Sequence, residues 1–189
     1  PYLILEDAHL PQAAQACAAS RLVNGGQSCI AAKRFIVIES VRGPFEALLV
    51  EQMRQRVVGD PLQEGTAVGP LARRDLRDEL HRQVERSIAL GARVLLGGTL
   101  PAGPGAFYPP TVLADVKKGM PAYDEETFGP VAAVISVRDE AEAIRVANDT
   151  PFGLGAAVFT RDTARGERVA AQVESGSCFI NAMVRSDPR

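Results

Sequence analysis

Tryptophan is absent from the 189 residues, aromatics make up 5%, and there are two histidines and three cysteines. With so few rings and no basic excess, 21 Lys and Arg against 23 Asp and Glu, stacking on nucleic-acid bases and binding to an anionic membrane surface are both excluded. Cys17, Cys29 and Cys178 are odd in number, widely spaced and form no Cys-x-x-Cys pair. That spacing excludes a zinc site and a disulfide framework, no metal site is expected, and a reducing, cytoplasmic setting fits. No apolar run reaches the length needed to span a membrane, and no signal peptide is present. No Gly-x-Gly-x-x-Gly opens a helix after a strand, and no Gly-Lys-Ser/Thr phosphate loop occurs, so the chain by itself carries no complete nucleotide site. An initial Met is lacking too. The start at Pro1 and the stop at Arg189, just after an apolar run, predict a piece of a longer polypeptide.

What is present reads as one globular α/β domain: 46% of residues are hydrophobic and 23% charged, with enough length to bury a core unaided. Short apolar runs alternate with amphipathic segments. Strands are expected at Tyr2–Leu5, Arg34–Ile38, Arg93–Leu96, Thr111–Leu113, Val131–Val137, Gly155–Phe159 and Ser177–Asn181. Helices are expected from Leu10 to Val23, Pro44 to about Val58, Arg73 to Leu90, Asp139 to Asn148 and Asp162 to about Val173. Val131–Val137, apolar on both faces, reads as a central strand of a covered sheet. The rhythm predicts a layered, largely parallel sheet flanked by helices, with ligands beyond the carboxyl ends of its strands.

Cys29 ends the glycine-rich stretch Asn24-Gly25-Gly26-Gln27-Ser28-Cys29. Glycines there allow a tight turn and close approach of a ligand, and a thiol presented on such a turn suits a nucleophile. The alternative is a small buried hydrophobe. Cys17, at helical spacing with Leu10, Ala13 and Ala14, faces a core, as does Cys178 in the last strand. The Glu125-Glu126-Thr127-Phe128-Gly129-Pro130 stretch precedes the long strand, so its side chains project at a strand end. Carboxylates beside an aromatic could bind a polyhydroxylated or aromatic ligand, or form a solvated turn. His81 and the charged faces of its helix read as solvated.

Taken together, Asn24 to Cys29, Gly59-Asp60-Pro61, Gly69-Pro70, Gly97-Gly98, Tyr108 to Leu113, Glu125 to Val131, Ala147 to Thr150, Phe152-Gly153-Leu154 and Ile180-Asn181 resemble the catalytic half of an aldehyde dehydrogenase. They follow one another in order at family spacing along essentially the whole chain. Within that family, Ala31 to Phe35 and Leu71 to Gly98 look most like the succinate-semialdehyde dehydrogenases.

The resemblance implies a small aldehyde as substrate, NAD or NADP as cofactor, and a homo-oligomer for the full-length protein. It implies that Cys29 adds to the aldehyde as a thiohemiacetal and, after hydride loss to the nicotinamide, carries a thioester that water hydrolyses. It makes Glu126 the ligand of the nicotinamide ribose hydroxyls and Phe128 the ring packed near the nicotinamide. Ser186, with Arg185 and Arg189 as rivals, could bind a substrate carboxylate. The family's general-base glutamate and its dinucleotide-binding domain would precede Pro1, and the oligomerisation strand would follow Arg189. The 189 residues alone are therefore expected not to oxidise aldehydes. Two other readings stay open: a thiol hydrolase using His9 or His81 as base for Cys29, and a non-catalytic module that keeps the fold.

Overall fold

The computed structural model describes residues 1–186; Arg189 lies outside the described residues. Strands β1 (Tyr2–Ile4), β2 (Arg34–Ile38), β3 (Arg93–Leu96), β4 (Thr111–Ala114), β5 (Val131–Val137), β6 (Ala156–Phe159) and β7 (Cys178–Ile180) form one sheet in the order β3-β4-β5-β2-β1-β6-β7. All neighbouring pairs are parallel except β3 with β4. The helices are α1 (Leu10–Arg21), α2 (Glu39–Arg54), α3 (Arg74–Ala89), α4 (Pro121–Asp124), α5 (Glu140–Asn148) and α6 (Thr163–Ala170).

The interior strands explain the unbroken apolar runs, because each is covered on both faces. Residues that alternate along a strand point to opposite sides. Leu3, Ile36, Ala133 and Val158 pack in one core with side chains of α3, α5 and α6. Tyr2, Ile4, Phe35, Val37, Val134 and Phe159 pack in the other with α1 and α2. A fully buried aliphatic or aromatic side chain stabilises by about 1.5–3 kcal/mol, so the two cores dominate the fold's stability. The layered, mostly parallel architecture is as the strand–helix rhythm predicts.

Some local expectations are corrected. Helix α2 begins at Glu39, and Pro44 lies inside it rather than at its start. The residue before a proline resists helical backbone mainly through its Cβ and amide, and Gly43 has no Cβ to clash. Cys17 is fully buried as expected, but Cys178 is only half-buried, because β7 is the sheet's edge. Asp139 caps α5 through the Glu142 N–H at 2.8 Å, while Glu142 reaches back to the N–H of Arg138 rather than that of Asp139. On α3, Leu76 is exposed, whereas Leu80 and Val84 are buried.

The carboxyl ends of the strands are closed by polar ties. Just beyond β1, Asp7 accepts hydrogen bonds from the Thr160 hydroxyl at 2.8 Å and from the N–H groups of Arg161 and Asp162 at 2.9 and 3.2 Å. Burial acts to raise the Asp7 pKa, but these donors outweigh it and hold the carboxyl below its usual range. A depressed folded pKa gives stability that is complete above the unfolded carboxylate value, about 3.9, and is lost as pH falls through the folded value. Asp7→Ala is expected to cost about 1–2 kcal/mol at pH 7 by chemical denaturation. The gap from wild type should close below about pH 4.

Candidate active site

Cys29 leaves α1 on a 3-10 turn, Val23–Gly26, in which Asn24, Gly25 and Gly26 take φ of 49°, 63° and 80°. Left-handed backbone at three successive residues is why asparagine and glycines stand there. The turn is laced to itself and to its surroundings. Gln27 and Asn24 exchange side chain–backbone hydrogen bonds at 3.2 and 3.3 Å, and Gln27 Oε1 accepts from the Ala72 N–H at 2.8 Å. From α1, Arg21 donates to the Gly26 carbonyl at 2.7 Å. Arg21 is fully buried, and burial pushes its pKa down to about 9.

The thiol of Cys29 is exposed, so the buried-hydrophobe reading fails for this residue. Its backbone N–H donates to no backbone or side-chain acceptor among the described residues. A cavity of about 410 Å³ opens beside it, lined also by Lys33, Arg34, Tyr123, Glu126, Phe152 and Leu154.

The second turn reaches this cavity by direct backbone contact. A Cβ on Gly26 would stand 2.2 Å from the Gly129 carbonyl oxygen, and a Cβ on Gly129 would stand 2.3 Å from Leu80 of α3. Two glycines thus let the Cys29 turn, the Glu125–Pro130 turn and α3 close on one another. Helix α3 holds the second turn further. Gln83 donates to Glu125 Oε2 at 3.0 Å and to the Glu126 carbonyl at 3.3 Å, and Arg86 donates to Glu125 Oε1 at 3.3 Å. The polar side of α3 is therefore more than a wet surface. His81 is also half-buried, with Nδ1 3.2 Å from the Tyr108 hydroxyl, instead of solvated.

Glu126 stands exposed at the cavity lip, and only its Oε1 is engaged among the described residues, 3.2 Å from Lys33 Nζ. Phe128, 40% exposed, presents its ring 5.8 Å from the same ammonium. A carboxylate with a free oxygen beside an exposed apolar ring fits a ligand with vicinal hydroxyls and a flat ring. On the cavity floor, Arg34 Nη2 and Nη1 donate to the carbonyls of Val146 and Ala147 at 2.5 and 3.4 Å, and its guanidinium lies 4.7 Å from the Tyr123 ring. Those carbonyls end α5, where the helix dipole favours a cation.

Every turn that lines this cavity enters a strand. Cys29 precedes β2, Glu126 precedes β5, and Phe152 and Leu154 precede β6. Because those strands are parallel, their amino ends gather on one edge. The site accordingly lies at the amino ends of the sheet, not at the carboxyl ends. Cys29 and Glu126 line the cavity together; Phe128 lies outside its lining and reaches the site through Lys33, and Ser186 and Arg185 are exposed outside the lining. Sequence reasoning gave no role to Lys33, Arg34, Tyr123 or the Phe152–Leu154 segment. Lys33, Arg34 and the Phe152–Leu154 segment stand just before or at the start of strands, as Cys29 and Glu126 do, and that is the signal that could have found them; Tyr123, inside α4, carried no such signal. Asn148 and Asn181 are structural: Asn148 bonds Gln172 and Glu174, and Asn181 bonds both backbone groups of Thr160.

Neither histidine reaches the thiol. His9 Nδ1 accepts from the Gln12 N–H to cap α1, His81 engages Tyr108, and no histidine lines the cavity. The hydrolase reading loses its base. Among the described residues no cluster of His, Cys, Asp or Glu could hold a metal ion, and no helix is long and apolar enough to cross a membrane.

Comparison with known proteins supplies the remaining link. A succinate semialdehyde dehydrogenase of Escherichia coli (strain K12), named for NAD(P)+, is 49% identical over 189 residues, matching 100% of this chain and 41% of its own length. An NADP(+) succinate-semialdehyde dehydrogenase of Mycobacterium avium (strain 104) is 46% identical over 188 residues, matching 100% of this chain and 40% of itself. The solved structure of a succinic semialdehyde dehydrogenase from Streptococcus pyogenes in complex with NADP+ superposes with a TM-score of 0.94 at 36% identity, covering 99% of this chain and 41% of that one. The chain thus spans about two fifths of the length of the relatives it matches. The model of the aldehyde dehydrogenase family matches residues 1–189 without a gap at either end, and the chain belongs to that family.

Proposed function

We propose that this chain is the thiol-bearing part of an NAD(P)-dependent aldehyde dehydrogenase, with succinate semialdehyde as substrate and Cys29 as nucleophile. One observation carries the reading: an exposed cysteine with an unengaged N–H shares its cavity with a carboxylate that has a free oxygen. The Cys29 sulfur attacks the aldehyde carbon, a C–S bond forms, and the carbonyl oxygen takes up the negative charge. The unengaged Cys29 N–H would donate to that oxygen, and losing one such donor typically costs about 100- to 1000-fold in rate. Glu126 and Phe128 would hold the ribose and ring of a nicotinamide, which supplies the acceptor for the hydride leaving the thiohemiacetal carbon. The resulting Cys29 thioester is opened by water: the C–S bond breaks, the acid leaves and the thiolate returns. Cysteine serves both halves because it is nucleophilic and leaves readily.

The substrate proposal is supported by the names of the relatives, and the cofactor proposal by those names and the free oxygen of Glu126. Assay of a polypeptide of the relatives' full length should give NAD(P)H formation from succinate semialdehyde with kcat/KM at least about tenfold above that for acetaldehyde, the scale of a pocket's chemical discrimination. Equal or reversed preference would overturn the substrate assignment while leaving the dehydrogenase reading intact. Absence of turnover on any aldehyde would overturn both.

A further inference from the structure

We propose that Lys33 is a two-position cation. Paired with Glu126 it restrains the nucleophile's turn; released from Glu126 it neutralises the Cys29 thiolate. A ligand that engages Glu126 through its hydroxyls would thereby activate the thiol. The proposal rests on the reading of Cys29 as nucleophile and Glu126 as a hydroxyl acceptor.

The geometry that carries it centres on one ammonium. Lys33 Nζ donates to the carbonyls of Ser28 and Ala31 at 3.4 and 3.2 Å, two residues that bracket Cys29 in sequence. It stands 3.2 Å from Glu126 Oε1 and 5.8 Å from the Phe128 ring centre. Lys33 and Cys29 line the same cavity. A lysine stem has four rotatable bonds and its ammonium acts as a point charge, so a shift of a few ångströms costs little more than the contacts it gives up.

The charges around it leave Lys33 as the cation able to respond. Arg21, from α1, is fixed on the Gly26 carbonyl and fully buried. Arg34, from β2, is fixed on the end of α5 and over Tyr123. Glu125 is taken by Gln83 and Arg86. Tyr123 is pushed up to about 12 by burial and its bond to Asp149, and burial likewise raises Tyr2; both stay neutral. What remains is Arg21, Arg34 and Lys33 against the single carboxylate of Glu126. Burial, and then the repulsion of Arg21, lowers the Lys33 pKa, while Glu126 and a Cys29 thiolate raise it. An anion is missing from this partly desolvated group, and a thiolate would supply it.

Hydroxyls donating to Glu126 spread its charge and weaken its hold on the ammonium, which turns toward the sulfur. A role limited to tethering the turn would alter the fold or the access of reagents, but not the dependence of thiol reactivity on pH. The test is alkylation of Cys29 by iodoacetamide without cofactor, followed by mass spectrometry of its peptide, at pH 7 and pH 10 in the intact polypeptide. An opposite charge within about 4–6 Å shifts an ionisation by one or more units, so once Glu126→Gln has freed the ammonium, adding Lys33→Met should lower the ratio of the pH 7 rate to the pH 10 rate about tenfold. Lys33→Arg should keep that ratio within about threefold of wild type. Glu126→Gln, at an exposed position, should raise it severalfold, and should have no further effect in the Lys33→Met background. A reactive Cys29 whose ratio ignores Lys33, or an equal Glu126→Gln effect in both backgrounds, overturns the proposal alone. A Cys29 that resists alkylation even at pH 10 overturns it together with the nucleophile reading.

Discussion

Cys29→Ala is expected to abolish aldehyde oxidation, by at least about a thousandfold in kcat, in a polypeptide of the relatives' full length. The size follows from chemistry. Without the sulfur no thiohemiacetal forms, and hydride would have to leave a hydrated aldehyde with no covalent tether. The loss should come without loss of fold, because the thiol is exposed and fills no part of either core. Initial rates of NAD(P)H absorbance, beside denaturation midpoints for both proteins, make the comparison. Cys29→Ser is the sharper version, since the hydroxyl is nearly isosteric but almost wholly protonated at neutral pH. A Cys29→Ser enzyme within tenfold of wild type would falsify covalent catalysis at this residue. Removing Cys17 or Cys178 should leave turnover within a few-fold, since neither lines the cavity.

Gly26→Ala should damage stability and activity together. An alanine Cβ there would stand 2.2 Å from the Gly129 carbonyl oxygen, 2.3 Å from its carbon and 2.9 Å from the Pro130 nitrogen. Those are backbone atoms, and no rotamer can move them aside. The position also has φ of 80°, where an L-residue is strained by about 1–2 kcal/mol. Overpacking adds roughly 1–3 kcal/mol, for a total of about 3 kcal/mol. The chain can relieve the contact only by moving the Cys29 turn away from the Glu126 turn, which separates the thiol from the carboxylate. Misplacement by about 1 Å can cost on the order of a hundredfold in rate. Gly25→Ala is the control: its φ is 63°, but its Cβ would meet only the Gln27 side chain, at 3.5 Å. It should lose about 1 kcal/mol and most of its activity should survive. Urea denaturation midpoints and kcat for both variants decide the matter, and equal effects would sink the backbone-contact argument.

Legibility in the sequence followed locality. Strand runs such as Val131–Val137 and Arg34–Ile38 were readable because burial on two faces leaves few polar positions, one in each run, to blur the pattern. The start of α6 at Asp162 and the end of α3 near Leu90 were readable because each depends on one residue's own backbone or side chain, the Asp162 cap and the left-handed Gly91. The Pro44 start of α2 misled, since proline usually marks a helix's first turn and the glycine before it removes the usual penalty. His81 misled because its partner, Tyr108, lies 27 residues away along the chain.

The order of residues alone determined the layered fold, the cysteine at the end of a glycine turn and the carboxylate–aromatic pair before the long strand, because each is written in neighbouring side chains; that the thiol is exposed was decided by the fold. Only the folded chain decided which sheet edge holds them. Parallel strands place all their amino ends together, so three turns far apart in sequence became one cavity. It also decided that Lys33 would lie between Glu126 and the carbonyls flanking Cys29, and that Gly26 would touch Gly129. Contacts between residues about a hundred positions apart depend on packing geometry, and no local pattern encodes them.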